Sequence, residues 1–154
     1  QELFSVLLAD DLIINAPSAT QQLIDIAELH NASVLGLNQV RKSDLNKYGV
    51  ISPLNGKVLD KMCWVEDIVE KPNENPPSNM AVFGRYILSH HIFDYLENLN
   101  PGFGGEIQLT DAIKLMLKEH PIAGYLYDGV KFDCGSREGY VKAIQYLASE
   151  ILDV

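Results

Sequence analysis

Two short apolar runs flank an amphipathic helical pattern near the start of the chain, and this order limits the folds open to it. Residues 5–9 (SVLLA) and 32–37 (ASVLGL) have the length and composition of buried strands. Between them, Ser18 and Gln21 form a capping-box signature, and apolar residues follow at helical spacing up to Leu29. Strand, helix and strand predict a βαβ unit, which implies parallel strands joined by a right-handed crossover.

The rest of the chain predicts further strands and helices. Asn55-Gly56 is a strong turn signal, so the β-prone residues on either side predict a hairpin, with bends or bulges in its second strand. Ser89 is a candidate helix cap, and Asp133 ends a strand or tight pair of strands. The predicted strands are 49–53, 57–69, 80–88 and 122–132, and the predicted helices are 89–99, 109–117 and 140–151. This pattern predicts an α/β fold with a mixed sheet.

Composition narrows the possible functions. A chain of 154 residues suits one domain, or one lobe of a larger unit. Because 12 Lys and Arg oppose 21 Asp and Glu, the net charge is −9, and general nucleic-acid binding through counterion release is not expected. A phosphorylated metabolite remains possible, since one or two local cations, a metal or backbone N–H groups are enough to bind it.

Cysteine use and hydropathy favour a cytoplasmic protein with no membrane partner. Cys63 and Cys134 are far apart and belong to no CxxC motif, which is typical of a reduced, intracellular setting. No apolar stretch reaches the roughly 18 residues of a membrane span, and no basic segment leads into an apolar one at the N-terminus. The first residue is Gln1 and a strand is predicted from Ser5, so we expect the N-terminus to be a cut edge.

Asp10 and Asp11 directly follow the first apolar run. Carboxylates at the C-terminal end of a strand lie where open α/β sheets bind ligands. Mg²⁺ is commonly held there by one or two carboxylates together with substrate phosphates. An Asp-Asp pair after a strand is equally typical of a solvated turn that caps the next segment. Both interpretations stay open on spacing alone.

Glu70 and Lys71 stand immediately before Pro72. The proline favours an extended conformation at Lys71, which predicts that the two side chains point to opposite faces of a strand. Lys71 could then meet a phosphate as a compact cation, while Glu70 accepts hydrogen bonds from hydroxyl groups. The alternative is an ordinary exposed ion pair near a strand end.

Gly104 and Gly105 lead into the helical pattern that begins at Leu109. Such glycines can place backbone N–H groups against an anion. Thr110 and Asp111 are predicted to cap the first turn of that helix.

Asp133 ends an apolar run and precedes Gly135 and Ser136, a candidate helix cap. Its carboxylate could complete a metal site with Asp10, or it could simply belong to the turn that enters the helix. Cys134 is a weaker candidate as a nucleophile, because no histidine follows at a suitable position.

The sequence contains no G-x-S-x-G element, no P-loop and no clear set of nucleophile, base and orienting group. Carboxylates, a lysine at a strand end and strand-end glycines remain. That inventory is typical of phosphoryl or nucleotidyl transfer, in which positioning and charge neutralisation do most of the catalysis.

Six segments, taken together and in order, resemble the bacterial UTP-glucose-1-phosphate uridylyltransferases of the sugar-1-phosphate nucleotidylyltransferase superfamily. They are L-L-A-D-D, K-Y-G-V-I, V-E-K-P, S-N-M-A-V-F-G-R-Y-I-L, G-G-E-I-Q-L-T-D-A-I and D-C-G-S-R-E-G-Y, and the resemblance extends from about Val6 to Leu152. It implies a Rossmann-like GT-A type fold, with a mixed sheet flanked by helices. It also implies Mg²⁺-dependent formation of UDP-glucose and pyrophosphate from UTP and glucose 1-phosphate, by an enzyme that forms homo-oligomers.

The resemblance implies roles for individual residues. Asp10 and Asp133 match the metal-binding aspartates, with Asp11 beside the first of them. Lys71 matches the lysine that binds the sugar phosphate, and Glu70 matches the glutamate that receives the glucose hydroxyls. Asp10, Lys71 and Asp133 would therefore be catalytic. The other residues expected to contact substrate are Asp11, Tyr48, Gly49, Asn79, Gly84, Arg85 and Glu106.

The implied mechanism is in-line displacement, in which the glucose 1-phosphate oxygen attacks the α-phosphorus of UTP while Mg²⁺ neutralises charge. This family begins with a Gly-rich G-x-G-T-R element and a following lysine, and no segment of the sequence matches them. We therefore expect residues 1–154 to be the C-terminal part of a single nucleotidylyltransferase domain, inactive or weakly active alone. The alternatives are a nucleotidylyltransferase for another base or sugar and a non-catalytic sugar-phosphate-binding module.

Overall fold

A six-stranded mixed sheet organises the part of the chain that the computed structural model describes, residues 2–102 and 105–152. The strands are β1 Leu3–Leu7, β2 Asp11–Ile14, β3 Ser33–Gln39, β4 Gly49–Pro53, β5 Met62–Glu70, β6 Met80–Ser89, β7 Ile122–Leu126 and β8 Val130–Asp133. The α-helices are α1 Ala19–His30, α2 Ile92–Glu97, α3 Leu109–Met116 and α4 Arg137–Leu152, and a 3₁₀ helix covers Lys42–Lys47. The mixed α/β fold expected from the sequence is confirmed.

The strand order in the main sheet is β1-β6-β3-β7-β5-β4. β3 pairs in parallel with β7, whereas β6 runs antiparallel to both β1 and β3. The two strands of the predicted βαβ unit, β1 and β3, are parallel to each other, but they are not neighbours. β6 lies between them, and in this respect the prediction is wrong. β6 is apolar and buried along most of its length, which suits a central strand, while β1 is partly exposed and suits an edge.

Helix α1 and the β4–β5 hairpin form as the sequence predicts. The Ser18 side chain caps α1 by accepting a hydrogen bond from the backbone N–H of Gln21. Asn55 and Gly56 both have positive φ in the turn after β4. The register of the hairpin shifts beside Pro53, which confirms the predicted irregularity, although the second strand begins only at Met62.

Strands β2 and β8 form a separate two-stranded antiparallel ribbon. The sequence pattern did not indicate β2, and it joined β8 with β7 as one strand or tight pair. In the ribbon, Asp11 lies directly opposite Asp133. Two acidic residues that are far apart in the sequence are thus brought together.

The predicted caps of two helices are wrong. Ser89 is the fully buried last residue of β6, and α2 begins only at Ile92. The residue that precedes α3 is Gln108, so Thr110 and Asp111 lie inside its first turn instead of capping it. The Thr110 hydroxyl is bonded instead to a carboxylate on β5.

The core consists of two apolar clusters on opposite faces of the sheet. Leu35 and Val82 belong to the cluster that contains residues of α2 and α3, whereas their neighbours Val34 and Phe83 belong to the cluster that contains residues of α1. This alternation follows from the two-residue period of a strand.

Among the described residues, none of the helices is long and apolar enough to span a membrane.

The two cysteines differ in burial, and this difference is testable. Cys63 is 3% exposed, and burial raises the pKa of its thiol to about 11, whereas Cys134 is partly exposed. We expect a thiol-reactive probe at neutral pH to modify Cys134 at least about tenfold faster than Cys63, because the thiolate is the reactive form. Equal rates in denaturant serve as the control. Equal rates for the native protein, measured by peptide mass spectrometry, would contradict the described packing.

Candidate active site

A cleft of about 450 Å³ is lined by the β1–β2 turn, β4, β5, β6, α3 and β8. Eight of the residues expected at a site line it. They are Asp10, Asp11, Tyr48, Gly49, Glu70, Lys71, Gly84 and Asp133. Lys47, Gln108 and Thr110 line it too, although the sequence analysis assigned none of them to the substrate site.

The carboxylates of Asp10 and Asp133 face a common gap beside Gly135. A Cβ atom on Gly135 would lie 2.9 Å from Asp10 Oδ2 and 3.2 Å from Asp133 Oδ1. The backbone N–H of Cys134 donates to the carbonyl oxygen of Asp10 over 2.7 Å, and that of Gly135 donates to Asp133 Oδ1 over 3.1 Å. The first bond ties the backbone of Asp10 to the end of β8, and the second fixes the Asp133 carboxylate. We call the space between the two carboxylates the cradle, and a side chain at Gly135 would enter it.

The chemistry of this cradle fits a magnesium ion that also binds phosphate. Within residues 2–102 and 105–152 there is no cluster of three or more His, Cys, Asp or Glu side chains that could form a complete protein metal site. Mg²⁺ commonly uses one or two carboxylates and takes its remaining ligands from water and substrate phosphates. Asp10 and Asp133 meet that requirement.

Asp11 packs closely on β6 at Gly84. A Cβ atom on Gly84 would collide with the Asp11 carboxylate, and Gly84 has a φ of 23°. Only glycine meets both conditions, the space and the positive φ. Burial raises the pKa of Asp11, and the nearby carboxylates of Asp10 and Asp133 raise it further, while Lys131 lowers it.

Arg85 does not line the cleft, and its expected place in the sugar pocket stays a prediction. Its guanidinium group donates to three backbone carbonyl oxygens, at 3.3 Å on Leu8, 3.0 Å on Gly84 and 2.8 Å on Asp11. Its bonds to Leu8 and Asp11 therefore hold the β1–β2 turn, which carries Asp10 and ends at Asp11, against β6.

Lys131 is a charged neighbour of this cluster that the sequence analysis missed. It lies two residues before Asp133 on β8, so both side chains share one face of the strand. Its ammonium group lies over the ring of Phe83 and 5.2 Å from the ring centroid of Tyr48. Burial lowers the pKa of Lys131 to about 8, although Asp11 and Asp133 oppose this shift. The sequence could have indicated this position of Lys131, because it stands two residues before Asp133 in a predicted strand.

Glu70 and Lys71 lie on the same side of the chain, which corrects the predicted opposite orientation. Lys71 has a φ of 44°, and its Nζ lies 3.4 Å from Glu70 Oε1. The backbone N–H of Lys71 donates to the carbonyl of Tyr48 over 3.0 Å. The strand ends at Glu70, and the left-handed conformation at Lys71 turns its side chain back beside the carboxylate, despite the preference imposed by Pro72.

Thr110 fixes the second oxygen of the Glu70 carboxylate, Oε2. Its hydroxyl donates to Glu70 Oε2 over 2.6 Å, and one turn later Lys114 Nζ lies 2.8 Å from Asp67 Oδ1. Together with the buried apolar face of α3, these two bonds attach the helix to β5. Gly49 lies opposite Glu70 in the β4–β5 register and borders Thr110 Oγ1 and Glu70 Oε2.

Asn79 and Glu106 also lie outside the lining of the cleft, and their expected contacts with substrate stay predictions. The carbonyl of Asn79 accepts from the backbone of Val40, and that of Glu106 accepts from the backbone of Gly102. Both residues are exposed. Gly104, considered above as part of an anion-binding turn, lies outside the described residues.

Comparison with known proteins gives a consistent assignment. The nucleotidyl transferase family matches residues 1–150. A UTP–glucose-1-phosphate uridylyltransferase of Pseudomonas aeruginosa is 40% identical over 148 residues, covering 94% of this chain and 52% of that protein. The enzyme of the same name from Staphylococcus haemolyticus is 43% identical over 147 residues, covering 94% of this chain and 50% of that protein.

A solved structure of UDP-glucose pyrophosphorylase in complex with UDP-glucose superposes with a TM-score of 0.91. It is 39% identical in sequence, and the match covers 97% of this chain and 57% of that one. The chain thus spans about half the length of the curated relatives it matches. With the family matched over nearly all of its residues, this chain belongs to the nucleotidyl transferase family.

Proposed function

We propose that the chain takes part in forming UDP-glucose and pyrophosphate from UTP and glucose 1-phosphate. The observation that carries this proposal is one cleft lined by both a carboxylate cradle, Asp10 with Asp133, and a Glu70–Lys71 pair. A cradle of this kind suits a magnesium ion that binds phosphate. A glutamate and a lysine side by side suit the hydroxyls and the phosphate of a sugar phosphate. The names of the relatives support the same reaction.

We also propose that the chain is one part of a larger nucleotidyl transferase domain. It spans about half of its relatives, and it contains no match to a Gly-rich triphosphate-binding loop. In this proposal it supplies the sugar-phosphate pocket and the metal-binding aspartates. The remainder of the domain would supply the nucleotide-binding loop.

The residues of the cleft suggest how the reactants are aligned. Glu70 would accept hydrogen bonds from sugar hydroxyls while Lys71 pairs with the phosphate of glucose 1-phosphate, so the attacking oxygen is held in one direction. Asp10 and Asp133 would hold Mg²⁺, which when bound neutralises charge on the phosphate oxygens. Without a cation, the acidic cluster would repel the phosphates of both substrates.

The metal site can be tested on the chain itself. For a dissociation constant of about 1 mM, about 10 mM MgCl₂ would stabilise the folded state by about 1.4 kcal/mol, which raises the unfolding temperature by roughly 3–5 °C. We expect Asp133→Asn to remove most of this rise, because asparagine keeps the oxygen that accepts from Gly135 but loses the charge. Asp60→Asn is the matched control, since Asp60 is exposed, outside the cleft and at a positive φ that asparagine tolerates. An equal rise in Asp133→Asn would exclude Asp133 as a ligand.

Calorimetric titration with glucose 1-phosphate in the presence of MgCl₂ tests the function most simply. We expect the wild-type chain to bind, and Lys71→Met to bind roughly 10- to 100-fold more weakly, because a charge-assisted hydrogen bond to phosphate is lost. Lys118→Met removes the same charge from an exposed position outside the cleft and should leave the affinity unchanged. If the folded wild-type chain fails to bind glucose 1-phosphate and binds another sugar phosphate, the proposed substrate is wrong.

A further inference from the structure

Lys131 lies on the same face of the β2–β8 ribbon as two of the carboxylates. In the ribbon, Asp11 is opposite Asp133, and Ile13 is opposite Lys131. Opposite residues of an antiparallel pair share a face, and so do residues two apart on one strand. The ribbon therefore places one positive charge beside Asp11 and Asp133.

The surroundings of the Lys131 ammonium group are aromatic. It lies over the ring of Phe83 and 5.2 Å from the ring centroid of Tyr48, and these two rings pack with their centroids 4.4 Å apart. None of the ion pairs within residues 2–102 and 105–152 includes Lys131. Ring faces replace only part of the hydration that a buried ammonium group loses, so the charge costs stability here. An apolar side chain of similar length would pack on the rings without that cost, which points to a role for the charge itself.

The charges around the cradle nearly balance. Three carboxylates and two cations act on one another there, namely Asp10, Asp11 and Asp133 with Lys131 and Arg85. The other charged residues that line the cleft belong to neutral pairs, Glu70 with Lys71 and Lys47 with Asp44. The site therefore carries one net negative charge. A divalent cation alone would reverse this charge, whereas a divalent cation bound with a phosphate dianion would leave it unchanged.

We infer that Lys131 sets the charge balance of the cradle, so that a divalent cation without phosphate is disfavoured there. The ammonium group repels a bare cation, attracts a phosphate and has little net effect on the neutral pair of the two. The inference rests on the proposed function, since it assumes that Asp10 and Asp133 hold the metal and that a phosphate enters the same cleft. It adds a residue that acts on both ligands through its charge.

A purely structural role of Lys131 leads to a different expectation. If the side chain only packs on Phe83 and Tyr48, its replacement loosens β8 and with it Asp133. Cation and anion would then both bind as before or more weakly. Loss of a charge instead changes the two affinities in opposite directions, because a positive charge repels one ligand and attracts the other.

The test uses the 154-residue chain at neutral pH, below the pKa of about 8 that burial gives Lys131. Mn²⁺, which takes the same oxygen ligands as Mg²⁺, is titrated without phosphate, and free Mn²⁺ is measured by electron paramagnetic resonance. Glucose 1-phosphate is titrated by calorimetry in the presence of EDTA, so that no divalent cation contributes. Thermal unfolding of each protein reports whether it is folded.

Five proteins are compared: the wild type, Lys131→Met, Lys131→Gln, Lys131→Arg and Lys118→Met. Methionine and glutamine both remove the charge but differ in polarity, so a folding defect in one of them leaves the other to decide. Arginine keeps the charge. Lys118→Met removes the same charge from an exposed position outside the cleft.

We expect Lys131→Met and Lys131→Gln to bind Mn²⁺ about 3- to 10-fold more tightly than the wild type, because the repulsion of one positive charge is lost. They should bind glucose 1-phosphate about 2- to 5-fold more weakly for the same reason. Lys131→Arg and Lys118→Met should stay within about twofold of the wild type for both ligands.

Three results would overturn the inference and leave the proposed function intact. The folded neutral variants could bind Mn²⁺ no more tightly than the wild type, Lys131→Arg could bind it as tightly as they do, or both affinities could change in the same direction. If the wild type does not bind glucose 1-phosphate with or without a divalent cation, the proposed substrate is wrong, and the Mn²⁺ titration alone decides the role of Lys131. Absence of Mn²⁺ binding in every protein would overturn the proposed metal site and the inference with it.

Discussion

The cleft depends on the hydrogen bonds by which Arg85, on β6, holds the β1–β2 turn, since two of its three guanidinium bonds reach the carbonyl oxygens of Leu8 and Asp11 on either side of that turn. The guanidinium group is a rigid fork of donors, and here it bonds to the carbonyl oxygens of Leu8, Gly84 and Asp11. A lysine ammonium at this position would be a point donor on a flexible stem and could not span the three acceptors in the same way. Because Asp10 and Asp11 lie in or next to the turn, their positions follow from these bonds.

The position of β8, which carries Asp133, follows from that of the β1–β2 turn. Asp11 pairs with Asp133 across the β2–β8 ribbon, and the carbonyl of Asp10 accepts from the backbone of Cys134. The cradle beside Gly135 is therefore built from two segments far apart in sequence and held by backbone bonds. Lys131, packed over aromatic rings beneath the cluster, offsets part of the negative charge. A phosphate ligand would still need a cation in the cradle, and this need is the physical basis for proposing magnesium.

The sequence predicted the parts of this structure that depend on local pattern. Apolar runs located most of the strands, and the Ser18 cap and the Asn55-Gly56 turn are local signals. Asp10, Glu70 and Asp133 were found because they stand at or just after the end of an apolar run. Tyr48, Gly49 and Gly84 were expected in the site only because of the resemblance to a known family. β6 entered between β1 and β3 against expectation, because strand order depends on which strand must be buried on both faces.

What the sequence could not predict depends on contacts between distant segments. Threonine is a residue type that often caps helices, so the sequence predicted that role for Thr110. Its hydrogen bond to Glu70 depends on the packing of α3 against β5. Arg85 matched a sugar-pocket motif, yet backbone carbonyls from a turn far away in sequence engage it. Lys71 is turned by a positive φ that the proline rule disfavours.

We propose that one cleft holds a divalent cation at Asp10 and Asp133 and a sugar phosphate at Glu70 and Lys71. The most direct measurement is a crystal structure of the chain grown with UDP-glucose and Mn²⁺, with the metal located by its anomalous scattering. We expect the anomalous peak between the carboxylates of Asp10 and Asp133, and the glucose ring on Gly49 beside Glu70. A metal bound away from the cradle, or a sugar outside this cleft, would contradict the account.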